Sequence, residues 1–144
     1  MAFLTKIYDP DEYTLYVGGI IIDGFADGEF FTVEMMSDAF QSVVGTDGEV
    51  ARSKSNDRRA KLTFKLMQTS SANEALSTLH NNDLNAPNGA GVVTVSVVDN
   101  FGTTKVQGNQ GWITKFPDAS LDRTAKSREW VVEIGNCTRV EGGA

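Results

Sequence analysis

The sequence is poor in cysteine, histidine and proline, with one, one and three of them in 144 residues. A single cysteine cannot form an internal disulfide, which excludes a small secreted scaffold held by disulfide bonds and fits a reducing compartment. No apolar run approaches the roughly 18 residues of a membrane span, and the first residues lack the pattern of a secretory signal. We therefore expect a soluble protein with no membrane partner.

Residue patterns for catalysis and metal binding are also scarce. His80 lies near the end of a predicted helix, where hydrogen bonding to the last carbonyls is favoured over catalysis. Cys137 has no histidine near it in sequence, which favours a small buried side chain over a nucleophile. The acidic run Asp9, Asp11 and Glu12 lacks the spaced oxygens and the glycine of a calcium loop. We predict no enzyme activity, no cofactor and no metal site.

The length and composition indicate a single domain over residues 1–144. At 144 residues one core is sufficient, and fourteen glycines beside three prolines are typical of short strands joined by many turns. The formal net charge of −6 argues against broad affinity for nucleic acid, because phosphate binding depends largely on Lys and Arg displacing counterions. DNA near this protein is therefore expected to be repelled on average.

Strand patterns dominate the chain. Residues 62–67 alternate between apolar and other side chains, the period of a strand with one buried face. Other runs of strand formers lie at residues 14–17, 20–22, 30–35, 92–98, 103–116 and 128–134. Trp112 and Phe116 fall on one face of their strand, and Trp130 falls on the apolar face of its own. The expected core contains Leu62, Phe64, Leu66, Leu76, Leu79, Trp112 and Trp130.

One helix is predicted at about residues 71–82. Ser71 and Glu74 have the spacing of a capping box, in which each side chain satisfies a free backbone amide at the helix start. The apolar residues at i, i+3, i+4 and i+7 form one stripe, made of Ala72, Ala75, Leu76 and Leu79. The sequence therefore predicts a mainly β sandwich or small barrel with one flanking helix.

The stretch GTDGEVARSKSNDRRAK, residues 45–61, gathers five of the thirteen basic residues of an acidic protein. Its Asp47-Gly48 pair lies between strand formers and tolerates the backbone angles of a tight hairpin turn. The stretch has a net charge of +2, so the rest of the chain carries −8 (−6 minus +2). The charged residues singled out here are Asp47, Glu49, Arg52, Lys54, Arg58, Arg59 and Lys61.

Three interpretations of this stretch are open. The first is a solvated edge hairpin, whose cations keep its strands from pairing indiscriminately. The second is a contact with an acidic surface on another copy of the chain, in a head-to-tail assembly. The third is direct binding to nucleic acid. It has little support, because no aromatic residue that could stack on a base lies among the basic residues from Arg52 to Lys61.

Read in order, the segments resemble a family of phage structural proteins. They are TDGEVARSKSNDR, LTFKLMQ, TSSANEALSTL, VVTVSVVDNFGTT, GWITKFPD and REWVVEIGN. In order and spacing they are similar to the tail tube proteins of contractile-tailed bacteriophages, and to the tube proteins of R-type tailocins and type VI secretion. The resemblance covers nearly the whole chain.

The resemblance implies a tail tube fold, sandwich-like or barrel-like, whose copies form hexameric rings that stack into a hollow tube. DNA would pass through the bore without specific binding, inside a contractile sheath. It implies a long hairpin loop at about residues 37–60 that reaches the adjacent ring and carries the singled-out charges to an inter-subunit contact. The implied partners are further copies, the tail sheath protein, and the baseplate and tail terminator proteins. The implied location is the virion tail, after assembly in the host bacterial cytoplasm.

A second functional class is a monomeric β-sandwich module that binds a ligand on a virion or cell surface. Such a module is expected to display an exposed aromatic platform. Trp112 and Trp130 instead occupy strand patterns that predict burial. A small hydrolase, the third class, has no supporting group of residues.

Overall fold

The computed structural model describes residues 13–26, 31–89, 91–100 and 103–142. Over these residues the chain is mainly β, as the sequence predicts, with one α-helix. The strands are β1 (Tyr13–Val17), β2 (Ile20–Ile22), β3 (Phe31–Met35), β4 (Phe40–Val44), β5 (Val50–Lys54), β6 (Ala60–Met67), β7 (Val93–Asp99), β8 (Lys105–Lys115), β9 (Ser127–Ile134) and β10 (Thr138–Val140). The helix is α1 (Ala72–Asn85), and a short 3-10 turn follows at Pro87–Gly89.

Eight strands form one antiparallel sheet in the order β2-β1-β7-β8-β9-β6-β3, with β10 paired to β8. The sheet is open, because the ladder ends at β2 on one side and at β3 on the other. The two ends approach each other through an isolated bridge between Phe25, just after β2, and Leu66 of β6. The fold is therefore sandwich-like, which confirms the first of the two architectures that the sequence predicts.

The core lies on the inner face of this curled sheet. In β6 the residues at positions 60, 62, 64 and 66 are buried, and their neighbours are not, which is the alternation that the sequence predicts. Of the expected core residues, Leu62, Phe64, Leu66, Leu76 and Trp130 are buried. Leu79 is partly buried and packs against the same core.

Trp112 and Phe116 depart from the expected burial. In β8 the buried positions change from even to odd numbers, from Val106 and Gly108 to Gly111 and Ile113. The change coincides with a register shift against β7, where one residue of β7, Thr94, opposes two of β8, Asn109 and Gln110. An extra residue in a strand reverses the face of every later side chain. Trp112 is consequently half-buried. Phe116 follows a second register shift, between Ile113 and Lys115 against β9, and is 40% exposed at the end of the strand.

The start of α1 differs from the predicted capping box. The Ser71 side chain makes no capping hydrogen bond. Instead the Ser70 hydroxyl accepts a hydrogen bond from the Ala72 amide at 3.2 Å and donates one to the Asp23 carbonyl at 2.8 Å. Ser70 therefore satisfies a free helical amide and also ties the helix to the chain after β2.

The end of α1 lies three residues beyond the expected boundary, and this changes the position of His80. His80 lies within the helix rather than at its end, and its side chain is buried. Its ring is edge-on to the ring of Phe116, with 4.6 Å between the ring centroids. The predicted role at the helix end is therefore wrong, because five further helical residues follow. Cys137 is buried, and this burial raises the pKa of its thiol. The acidic run at 9–12 lies outside the described residues.

Candidate assembly interface

β4 and β5 form a two-stranded sheet of their own at the end of the long hairpin that β3 and β6 begin. The turn closes with a hydrogen bond from the Gly45 amide to the Glu49 carbonyl at 2.7 Å. Gly48 has a φ of +85°, a conformation that glycine adopts without steric cost. The protruding hairpin and its Asp-Gly turn are thus confirmed within the predicted range of about 37–60.

Every residue on both hairpin strands is exposed, including large apolar ones. Their exposed fractions are 47% for Phe40, 68% for Val43, 65% for Val44 and 62% for Val50. The contact residues predicted from the sequence are all charged, so these apolar side chains were not among them. The sequence did contain a signal for their exposure, because the strand formers beside the turn have no other predicted element to pack against.

The hairpin has two chemically different faces, because successive side chains of a strand point to opposite sides. One face carries Phe40, Arg52 and Lys54, and the Arg52 guanidinium carbon lies 4.2 Å from the centroid of the Phe40 ring. This distance is typical of a cation–π contact. The side chains on the other face are all uncharged: Gln41, Val43, Ala51 and Ser53. We call the first the cationic face and the second the neutral face.

Backbone hydrogen bonds continue across the junction between the hairpin and the main sheet. The Met36 amide donates to the Arg59 carbonyl at 3.0 Å, and the Ser55 amide donates to the Ala39 carbonyl at 2.8 Å. The first bond lies where the pairing of β3 with β6 ends, and the second lies where the pairing of β4 with β5 begins. The hairpin is therefore attached to the sheet by both of its strands.

Side chains reinforce the same junction. Nε and Nη2 of Arg59 each donate to the Asp57 carboxylate at 2.9 Å, and the Ser37 hydroxyl donates to it at 2.6 Å. The hydrogen bonds from Arg59 and then from Ser37 hold the pKa of the Asp57 carboxyl well below its usual range. The same ion pair raises the pKa of Arg59. Arg59 also lies 3.7 Å from a carboxylate oxygen of Glu133 on β9.

The structure separates the seven predicted contact residues into groups. Arg52 and Lys54 lie on the cationic face, and neither has a salt bridge within the described residues. Asp47 and Glu49 lie in the turn, where the Asp47 carboxylate accepts a hydrogen bond from the Glu49 amide at 3.1 Å. Arg58 is exposed beside the junction.

The remaining two predicted contact residues lie beside carboxylates of the same chain. Arg59 is held by Asp57, as described above. Lys61 lies on β6 directly between Glu34 of β3 and Glu133 of β9 in the strand register. Opposite charges placed across strands stabilise a sheet, so these two cations have a structural role in the protomer.

Binding chemistry of other kinds is not evident in the described part of the chain. No three His, Cys, Asp or Glu side chains among those residues are close enough together to hold a metal ion. No helix there is long and apolar enough to cross a membrane. The geometry of the hairpin suits contact with another macromolecular surface.

Known proteins similar to this one share this architecture and part of its sequence. The family model of the bacteriophage PhiTE tail tube protein matches residues 18–142. Structural protein ORF10 of Pseudomonas phage KPP10 is 29% identical over 149 residues, covering 99% of this chain and 86% of that protein. The cryo-EM structure of the anti-feeding prophage cap, the AFP tube terminating cap, has the same fold, with a TM-score of 0.60 at 7% identity over 100% of this chain and 96% of that one. The chain belongs to the bacteriophage PhiTE tail tube protein family.

Proposed function

We propose that this protein builds the tail tube of a contractile phage tail, as hexameric rings stacked into a hollow conduit for DNA. Membership of a tail tube family supports the tube itself. The six-fold ring and the contractile sheath rest on the resemblance to tube proteins of R-type tailocins and type VI secretion. The partners would be further copies, the sheath protein, and the baseplate and terminator proteins. The tube would assemble in the host cytoplasm and remain in the virion tail.

The observation that carries this proposal is the exposed apolar hairpin. Phe40, Val43, Val44 and Val50 are each about half or more exposed in the protomer. Removing apolar surface from water contributes roughly 25 cal/mol per Å², so docking this hairpin on another copy would be favourable. Exposed apolar side chains gathered on one segment of a soluble protein commonly mark a protein–protein contact. Buried apolar area would provide most of the binding free energy, because exposed ion pairs contribute only about 0 to 1 kcal/mol each.

The charge of the chain is compatible with a passive conduit for DNA. The net charge of −6 disfavours retention of phosphates, because there is a net excess of carboxylates over cations. DNA would therefore pass through without specific binding. A conduit of this kind requires no catalytic group.

The alternative, a monomeric ligand-binding module, has less support. Trp130 is buried and Trp112 is half-buried, so no tryptophan within the described residues forms an exposed binding platform. The exposed apolar residues of the hairpin do not line the open groove at its base, whose lining side chains are all polar. A monomer would leave this hairpin in water.

Electron microscopy of the purified protein tests the proposal. We expect hollow tubes or rings from the wild type, and folded monomers from the double variant Val44→Ser/Val50→Ser, which removes apolar area from the hairpin. Leu84→Ser on α1 is the matched control, since Leu84 and Val44 are both 65% exposed. A wild type that stays monomeric across salt and protein concentration would contradict the proposal, as would normal tubes from the double variant.

A further inference from the structure

We infer that the cationic face of the hairpin docks on the opposite end of a second copy, against the loop between β8 and β9. This loop comprises residues 116–126, and we call it the distal loop. The inference rests on the proposed function, because it assigns the two surfaces through which copies would stack. It commits to another copy of this chain as the partner.

The two surfaces lie at opposite ends of the protomer. β6 begins at Ala60, beside the hairpin, and ends at Met67, which pairs with Ser127 directly after the distal loop. The Gln68 amide donates to the Lys126 carbonyl at 2.9 Å, which holds the loop at this end. Eight strand residues span roughly 23 Å, at about 3.3 Å per residue. Contact between opposite ends of identical copies is the geometry that generates an open stack.

The distal end exposes apolar surface that its own fold leaves uncovered. Leu121 in the distal loop is 81% exposed, and Met67 and Phe116 beside it are each about 40% exposed. Phe116 contacts the rings of His80 and Trp130, at 4.6 and 6.2 Å between centroids, so the root of the loop is anchored to the core. An anchored loop with an exposed leucine is a preformed apolar partner for Phe40, Val44 and Val50, which share the cationic face.

The charges at the two ends are complementary. The hairpin strands carry Arg52 and Lys54 and no carboxylate. Three segments meet at the distal end, residues 23–26, 68–74 and 116–126, and together they carry four carboxylates and two cations. The carboxylates are Asp23, Glu74, Asp118 and Asp122, and the cations are Arg123 and Lys126. One of these cations is already paired, since Lys126 lies 3.6 Å from Asp122. Lys115 and Arg128 flank this surface, but Asp23, Glu74 and Asp118 form no salt bridge among the described residues, so they can pair with the cationic face.

Crosslinking between copies tests which hairpin face makes the contact. In a Cys137→Ser background, one preparation carries Lys54→Cys and the other Leu121→Cys, and the two are mixed, assembled and treated with a short bis-maleimide. We expect crosslinked dimers from this mixture. Val43→Cys, on the neutral face, is the matched control with Leu121→Cys and is expected to give few or none. Equal crosslinking by both faces, or none from Lys54→Cys within intact tubes, would overturn the inference.

If Cys137→Ser does not fold, the native background serves, because Cys137 is buried and the raised pKa of its thiol suppresses its reactivity.

A charge exchange separates failure of this inference from failure of the proposed function. We expect Asp118→Lys/Asp122→Lys to reduce tube mass roughly tenfold or more, since like charges would then face each other. Adding Arg52→Glu/Lys54→Glu to that variant should restore tubes at the same salt concentration. If the wild type forms tubes and the loop variant forms them equally well, this inference fails and the proposed function stands. If the wild type forms no tubes, both fail.

Discussion

Arg59 donates two hydrogen bonds, each 2.9 Å long, to the Asp57 carboxylate at the junction where the hairpin leaves the main sheet. The preceding residue, Arg58, is exposed and has no salt bridge within the described residues. Two consecutive arginines thus have different environments. Arg59 stabilises the junction, whereas Arg58 is available to another surface.

This difference predicts distinct effects of reversing each charge. Arg58→Glu should keep the wild-type melting temperature, because the Arg58 side chain has no salt bridge among the described residues. It should polymerise poorly, because it reverses a charge beside the proposed contact. Arg59→Glu should lower the melting temperature, because a carboxylate would then lie near Asp57 and Glu133. Thermal unfolding by circular dichroism, followed by electron microscopy, measures both effects. Equal melting temperatures for the two variants would contradict the structural role of Arg59.

The Asp57 carboxyl gives a prediction about pH. Its pKa lies well below the ordinary 3.8 because of the hydrogen bonds from Arg59 and Ser37. A group with a lowered pKa stabilises the fold above its unfolded pKa and loses that contribution as pH falls through the folded value. We therefore expect the ion pair to persist at about pH 4 and to break only in stronger acid.

Carboxyl carbon chemical shifts followed by NMR during an acid titration measure this pKa directly. The variant Arg59→Gln should raise the pKa of Asp57 toward 3.8, because it removes the charge and one side-chain partner. An Asp57 that titrates near 3.8 in the wild type would show that the ion pair does not form in solution.

The two adjacent serines at the start of α1 are expected to contribute differently to the free energy of unfolding. Ser70→Ala should destabilise the protein by about 1 kcal/mol, because the Ala72 amide loses its acceptor. Ser71→Ala should change the free energy of unfolding by less than about 0.5 kcal/mol, since the Ser71 side chain makes no capping hydrogen bond. Urea unfolding of both variants makes the comparison. A larger loss for Ser71→Ala would support the capping box predicted from the sequence.

A partly buried side-chain hydrogen bond connects α1 to β9. The indole Nε1 of Trp130 donates to the Asn73 side-chain oxygen at 2.9 Å, while the Asn73 amide group donates to the Met67 carbonyl at 2.9 Å. Asn73→Ala should cost about 1–3 kcal/mol, because the indole donor of a buried tryptophan loses its acceptor. A double-mutant cycle with Trp130→Phe measures the coupling. Additive effects in the cycle would contradict this role.

The sequence was sufficient for the elements whose local pattern agrees with the final packing. The alternation of β6 and the apolar stripe of α1 match the sides that the structure buries, and the Asp-Gly pair forms the predicted hairpin turn. The position of Trp112 could not be predicted, because the extra residue in β8 that reverses its face is set by how β8 pairs with β7, and the side-chain pattern of β8 alone does not specify that register. Capping by Ser70 likewise depends on the Asp23 carbonyl, which a distant segment supplies.

Within the candidate site, the sequence indicated the hairpin and its concentration of charge. It could not separate Arg59 from Arg58, because the two differ only in which carboxylates the fold places beside them. The apolar residues of the hairpin were visible as strand formers. Only the structure shows that they are exposed, with no described residue of the protomer covering them.

A cryo-EM reconstruction of tubes assembled from the purified wild-type protein tests the central claim most directly. We predict that residues 40–54 of each copy are buried against another copy, with Phe40 and Arg52 inside the contact. A well-resolved tube in which this hairpin faces only solvent would contradict the account.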